Sequence, residues 1–80
     1  MVFNGLTKSD LVVFNALLES DLSKPVPISE LSRLTCYHSK TISRALDRLV
    51  GYDVITRWRE DNAKPYQYHI RENGYVVLDT

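Results

Sequence analysis

The 80-residue sequence has no long apolar run, no basic-then-apolar N-terminus and no second cysteine. A membrane-spanning helix needs about 20 mostly apolar residues, and a secretory signal peptide needs the missing N-terminal layout. We therefore expect one soluble domain over residues 1–80, located in the cytoplasm, with no membrane partner. Because Cys36 is the single cysteine, an internal disulfide is excluded.

The sequence also lacks the residue patterns of common catalytic and metal sites. It has no glycine-rich phosphate loop, and no pair of carboxylates stands out. Cys36, His38 and His69 are too few to complete a zinc site. Cys36 and His38 do not form a nucleophile–base pair either, because no acidic residue at a fixed spacing would orient His38. We therefore predict no enzyme activity, no metal and no cofactor, and the sequence indicates no small-molecule ligand.

Neither sign of charge is in excess, because ten basic residues balance ten acidic ones. Zero net charge argues mildly against a strong nucleic-acid binder, but the distribution is uneven. Residues 38–64 contain six cations and four anions, whereas the segments on either side each carry one more acid than base. The positive excess therefore lies in the part of the chain whose helical pattern points to a contact surface.

That helical pattern lies in residues 35–50, TCYHSKTISRALDRLV. The apolar residues at helical spacing are Ile42, Ala45, Leu46 and Leu49, which predicts a helix over 39–50 with one buried face. Small polar residues begin the opposite face and cations follow along it. A helix that enters the DNA major groove by its N-terminus needs this arrangement, because its amides attract phosphate and its cations reach the bases. The alternative is an ordinary surface helix with a solvated polar face.

Two helices are predicted before this one, and the second of them is short. Thr7 begins the first, with Asp10 completing a capping box. This helix is expected to end near Ser20 to Leu22, because Pro25 and Pro27 cannot continue it. Ser29 is the expected cap of a short second helix, which a tight turn connects to the third. The segment between the first two helices is expected to be extended, with a short edge strand near Val26 as an option.

A β-hairpin is predicted over residues 54–70, because VITRWR and YQYHI both alternate in polarity. The polar residues 60–65 would form its tip. Trp58 alternates with Arg57 and Arg59, so we expect its side chain in the core. The predicted fold is α+β, with three helices and a two-stranded hairpin.

The segment SELSRLTCYHSKTISRALDRLVGYDVITRW, which begins at Ser29, resembles the winged helix-turn-helix family of MarR- and ArsR-type bacterial regulators. The resemblance is strongest over residues 31–55 and extends to Leu78. It implies that TISRAL, residues 41–46, begins the recognition helix and that Val54 opens the wing. It also implies binding to double-stranded DNA in transcriptional regulation.

The helical face and the resemblance together predict nine DNA contacts. They are Ser39, Lys40, Thr41, Ser43, Arg44, Arg48, Arg57, Arg59 and Lys64. Arg44 is the first candidate, because it lies on the polar face one turn into the helix. His38 stands where the family often has a serine cap, so Ser39 is expected to cap the helix. Cys36 stands where the family often has glycine.

Three functions agree with these features. The first is sequence-specific DNA binding by a small transcriptional regulator, and the second is the DNA-binding domain of a phage or plasmid replication initiator. The third is a winged-helix module that binds a partner protein, which zero net charge and the acids Glu60 and Asp61 favour. A DNA binder with so few cations is expected to be a homodimer. The expected pairing surface is apolar and terminal, formed by Val2, Phe3, Tyr75, Val76, Val77 and Leu78.

Overall fold

The computed structural model describes residues 6–71, so the expected pairing residues at both termini lie outside the described part. Three helices precede one hairpin, which confirms the predicted α+β fold. Their bounds are α1 Lys8–Glu19, α2 Ile28–Thr35, α3 Ser39–Gly51, β1 Ile55–Trp58 and β2 Gln67–Ile70. Within the described residues, every helix is too short or too polar to cross a membrane.

The capping box at the start of α1 is confirmed. The Asp10 N–H donates to Thr7 Oγ1 at 3.3 Å, and the Thr7 N–H donates to the Asp10 carboxylate at 2.9 Å. Each side chain thus satisfies a backbone N–H that has no partner within the helix. The helix ends at Glu19, well before Pro25, because Ser20 takes an extended conformation.

The prediction that Ser29 caps α2 is wrong. The helix begins one residue earlier, at Ile28, and its cap is Pro27, which supplies no side-chain hydrogen bond. Proline is tolerated at a helix start because the N–H that it lacks would have no helical partner there. The Glu30 N–H donates to the Pro27 carbonyl at 3.0 Å and closes the first turn.

The optional strand near Val26 does not form. The Val26 N–H donates to the Tyr66 carbonyl at 2.9 Å, beside the hairpin, but the described sheet contains β1 and β2 only. The next N–H groups that could face the hairpin belong to residues 24 and 28, because hydrogen-bonding direction alternates along a strand. The Lys24 N–H donates instead to the Asp21 carbonyl at 3.2 Å, and Ile28 begins α2, so the ladder does not extend in either direction.

The turn between α2 and α3 depends on a left-handed residue. Cys36 ends α2 with φ of 62°, and its N–H donates to the Ser32 carbonyl at 2.8 Å. The Ser32 hydroxyl donates to the Tyr37 carbonyl at 2.7 Å and closes the turn from the other side. A side chain in this backbone region is strained, which explains why glycine would suit this position.

One apolar core joins the three helices to the hairpin. Its largest fully buried apolar side chains are Phe14, Leu17, Leu31, Ile42, Leu46, Leu49 and Ile55. The four predicted apolar residues of α3, Ile42, Ala45, Leu46 and Leu49, are all buried. The core therefore fixes which side of α3 faces outward.

The prediction that Trp58 lies in the core is wrong, since 58% of this residue is exposed. The strands pair Ile55 with Ile70 and Arg57 with Tyr68. Because side chains alternate along a strand, buried Ile55 places Arg57 on the inner face and Trp58 on the outer one. The expected alternation is present, but the face that Trp58 occupies is the solvated one.

A buried ion pair links α1 to α3. Asp10 is fully buried, and Arg48 Nε lies 2.9 and 2.8 Å from its two oxygens while Arg48 Nη2 lies 2.7 Å from Oδ1. Burial alone would raise the pKa of Asp10, but hydrogen bonds from Arg48 and Thr7 outweigh it and lower that pKa. The carboxylate therefore stays charged inside the fold.

We expect Asp10→Asn to lower the free energy of unfolding by about 1–2 kcal/mol at pH 7, since Arg48 is partly solvated and water screens the pair. A lowered pKa stabilises the folded state fully above the unfolded-state pKa, near 3.8. That contribution is lost as the pH falls through the folded-state pKa. Urea titrations of wild type and Asp10→Asn from pH 7 to pH 2 should therefore give free energies of unfolding that converge in acid. A difference between the two free energies that does not change with pH would contradict this role of Asp10.

We expect Cys36→Gly to raise the free energy of unfolding by up to about 1 kcal/mol, because it removes left-handed strain at an exposed residue. Ala63→Gly is the matched control. Ala63 is exposed and lies outside the left-handed region, so this change should lower stability. Urea denaturation measures both, and equal effects of the two glycines would count against the strain at Cys36.

Candidate nucleic-acid interface

The outer side of α3 is polar and open to solvent. Ser39, Lys40, Arg44 and Asp47 are exposed, and Thr41 and Ser43 are half-buried at its edges. The small residues lie in the first half of the helix, so the backbone there is accessible to a large partner. This half is the part of α3 that the sequence predicted to approach DNA.

His38, not Ser39, caps α3. The Lys40 N–H donates to His38 Nδ1 at 3.3 Å, and the Ile42 N–H donates to the His38 carbonyl at 3.1 Å. Ser39 is the first helical residue, and the prediction that it caps the helix is wrong. The imidazole substitutes for the usual serine hydroxyl because its unprotonated nitrogen accepts a hydrogen bond.

Lys40 and Arg44 carry charge on this outer side. Among the described residues, no carboxylate forms an ion pair with either cation. Their side chains therefore extend into solvent without an acidic partner, and each adds an uncompensated positive charge beside the start of α3.

Arg48 occupies a different environment from the other predicted contacts. Its guanidinium binds Asp10 through two nitrogens, and this pair raises the pKa of Arg48 through the hydrogen bond to Asp10. The charge of Arg48 is thus committed to the contact between α1 and α3. We assign Arg48 to the fold and do not propose it as a DNA contact.

Two predicted wing cations share one aromatic ring. The Cζ atoms of Arg57 and Arg59 lie 4.5 and 4.3 Å from the centroid of the Tyr66 ring. The electron-rich face of tyrosine attracts cations at this distance. Arg57 Nη2 also donates to Asp47 Oδ1 at 2.7 Å, and Arg59 Nη2 donates to Asn62 Oδ1 at 3.3 Å. The ring thereby fixes two guanidinium groups on the side of the hairpin that faces α3.

A cleft of about 570 Å³ separates α3 from the hairpin. Ser43 and Asp47 line its α3 side, and Arg57, Arg59 and Lys64 line its hairpin side. The structure thus brings four of the nine predicted residues, Ser43 and these three cations, to one cleft. Ser39, Lys40, Thr41 and Arg44 lie along the adjoining part of α3, and Arg48 is directed to α1.

Sequence reasoning missed the roles of Asp47 and Tyr66. Strand alternation predicts that Tyr66 lies on the same face as Tyr68, but it does not predict that the Tyr66 ring contacts two arginines. Tyr66 does pack against the core, and its ring also carries both arginines. The Asp47–Arg57 pair joins two elements, and no local spacing in the sequence indicates it.

Within residues 6–71, no group of three or more histidine, cysteine or acidic side chains is placed to hold a metal ion. Cys36 and His38 lie close in sequence but serve the turn and the helix cap. The predicted absence of a metal and of a cofactor stays a prediction.

No family model matches the sequence, and no curated protein matches it either. Solved structures do. A MarR-family transcriptional regulator from Silicibacter pomeroyi has a TM-score of 0.73 at 25% identity, over 94% of this chain and 49% of that protein. A probable transcriptional regulator from Pseudomonas aeruginosa has a TM-score of 0.71 at 27% identity, over 95% of this chain and 56% of that protein.

Staphylococcus aureus MarR, solved with salicylate and kanamycin, has a TM-score of 0.68 at 15% identity, which shows likeness of fold alone. It is matched over 91% of this chain and 47% of its own length. The chain thus spans about half the length of the structures that it matches. The three helices and the two-stranded hairpin of this chain match the winged-helix fold of these regulators. The chain therefore has the winged helix-turn-helix fold of MarR-family transcriptional regulators.

Proposed function

We propose that this chain binds double-stranded DNA with sequence specificity, as a transcriptional regulator or the DNA-binding part of one. One observation carries the proposal. The first half of α3 exposes Lys40 and Arg44, which have no acidic partner among the described residues, and the hairpin beside α3 lines their shared cleft with cations. The solved regulators with this fold support it. Such a protein acts where the genome is, which for a bacterial or phage regulator is the cytoplasm.

In this proposal α3 enters the major groove and the hairpin lies along the backbone. Ser39, Lys40, Thr41 and Ser43 bring the helix close and contact phosphates or base edges. Arg44 extends far enough to donate two hydrogen bonds to guanine O6 and N7. Arg59 and Lys64 contact phosphate from the wing, and Arg57 joins them once it is released from Asp47.

A second function, binding a partner protein, is favoured by the outer face of the hairpin. Trp58 is 58% exposed there, and a groove of about 280 Å³ between Trp58 and Pro25 lies on the same side. Exposed aromatic residues are common at the centre of protein interfaces. Trp58 lies on the opposite face of the strand from Arg57, but Arg59 and Lys64 also line this groove, so a bound protein and a bound duplex would compete for these two cations.

The prediction of no small-molecule ligand stays a prediction. Staphylococcus aureus MarR was solved with salicylate and kanamycin, which is a property of that protein. Its low identity to this chain gives no basis for assigning either compound here.

The function is tested by measuring affinity for duplex DNA over a range of salt, for the wild type and for Arg44→Ala. A DNA binder should lose affinity with a slope of about −0.9 per phosphate contact in a log–log plot. On a duplex obtained by selection, Arg44→Ala should cost roughly 1–3 kcal/mol and relax preference at one base pair. Salt-independent binding, or wild-type affinity and preference in the folded variant, would contradict the proposal.

We propose further that the protein binds DNA as a homodimer. Asp10 and Asp47 offset the charges of Arg48 and Arg57, which leaves Lys40, Arg44, Arg59 and Lys64 as cations of the proposed surface. With so few cations, a monomer would bind DNA with a dissociation constant in the non-specific range, about 10⁻⁴ to 10⁻⁶ M at physiological salt. Two protomers add their contacts on half-sites about one helical turn apart. Sedimentation at micromolar concentration should show a dimer, whereas a monomer that binds one-to-one on a full site would overturn this proposal.

A further inference from the structure

Asp47 is the one acid on the outer side of α3, and it is placed against a wing cation. Its carboxylate oxygen Oδ1 accepts a hydrogen bond from Arg57 Nη2 at 2.7 Å. The side chain of Asp47 is 66% exposed, whereas that of Arg57 is 22% exposed and has the Tyr66 ring against its guanidinium. An acid at this position opposes DNA binding, so its presence requires an explanation.

Asp47 also lies three residues after Arg44, which places both side chains on the same side of the helix. A helix that presents Arg44 to a base therefore presents Asp47 toward the same duplex. Left without a partner, this carboxylate would repel the phosphates. Paired with Arg57, it cancels one of the wing cations. In both cases Asp47 weakens the electrostatic part of binding, which does not depend on sequence.

The pair can open readily. Ion pairs with one well-solvated partner contribute little to stability, and Asp47 Oδ1 engages a single N–H of a guanidinium that has five. A phosphate accepts two parallel hydrogen bonds from arginine and binds it more strongly than a solvated carboxylate held by one. The Tyr66 ring keeps Arg57 at the cleft while its partner changes.

We propose that Asp47 is an internal counter-ion: it occupies Arg57 in the free protein and gives way to a DNA phosphate in the complex. This inference rests on the proposed function and adds a positioning residue to it. By competing for Arg57, Asp47 lowers affinity for every duplex, so stable binding depends more on the base contacts of α3.

The test compares wild type, Asp47→Asn, Arg57→Gln and the double variant on a random-sequence duplex and on a selected duplex, at several KCl concentrations. Asp47→Asn should bind both duplexes about 1.5- to 5-fold more tightly, which is the range expected for a solvent-exposed pair. Its salt slope should stay close to the wild-type slope, because Arg57 contacts the same phosphate in both complexes. In the Arg57→Gln background the same change should have a much smaller effect. Asp47→Ser repeats the test with a shorter side chain.

Glu60→Gln is the matched control, because Glu60 is an exposed acid of the hairpin with no ion pair to a described cation. Its effect should be the same in the wild-type and in the Arg57→Gln backgrounds. Weaker binding by both Asp47 variants would show that Asp47 supports the DNA contact of Arg57, and unchanged binding would show that Asp47 has no effect on it. An equal gain in both backgrounds would show simple charge removal, and either result overturns the inference. If the wild type shows no salt-dependent binding to duplex DNA, the proposed function fails as well.

Discussion

The ion pair between Asp10 and Arg48 determines how the third helix sits on the first. Asp10 is fully buried and also accepts the Thr7 N–H, so one carboxylate completes the cap of α1 and binds α3. Apolar contacts are not directional, whereas a guanidinium that meets a carboxylate through two nitrogens fixes an orientation. Removing either partner leaves a charge or a cap unsatisfied at the junction of the two helices.

From this junction the two ends of α3 acquire different roles. The second half of the helix is held by Arg48 and by buried Leu46 and Leu49. The first half is anchored by buried Ile42 and presents Lys40 and Arg44 to solvent. The hairpin adds its own cations beside that half, held on the ring of Tyr66. A rigid, partly cationic helix end beside a cationic hairpin is a surface suited to a duplex, whose charge lies on two backbones.

Much of the fold could be predicted because its signals are local. The buried stripe of α3 repeats at 3.6 residues, the capping box spans four residues from Thr7 to Asp10, and the hairpin strands alternate. The face of Trp58 was not predictable from alternation alone. Val54 and Ile55, which precede it, are both buried, so either could mark the inner face of the strand. Only tertiary packing shows that the alternation follows Ile55 and places Trp58 on the outer face.

The candidate site was predictable in outline but not in its pairings. The outward position of Arg44 follows from the helical period. Arg48 differs by one turn, and its partner lies 38 residues away in sequence. Asp47 and Arg57 likewise meet across two elements. Which cations remain free is decided by such tertiary pairs, and no sequence spacing encodes them.

The most direct test of this account is to map the backbone amide signals of the labelled protein as duplex DNA is added. We expect shift changes to concentrate at residues 39–44 of α3 and at the wing cations Arg57, Arg59 and Lys64. We expect little change at Thr56, Trp58 and His69 on the outer face of the hairpin. Changes centred on that outer face, with α3 unaffected, would contradict it.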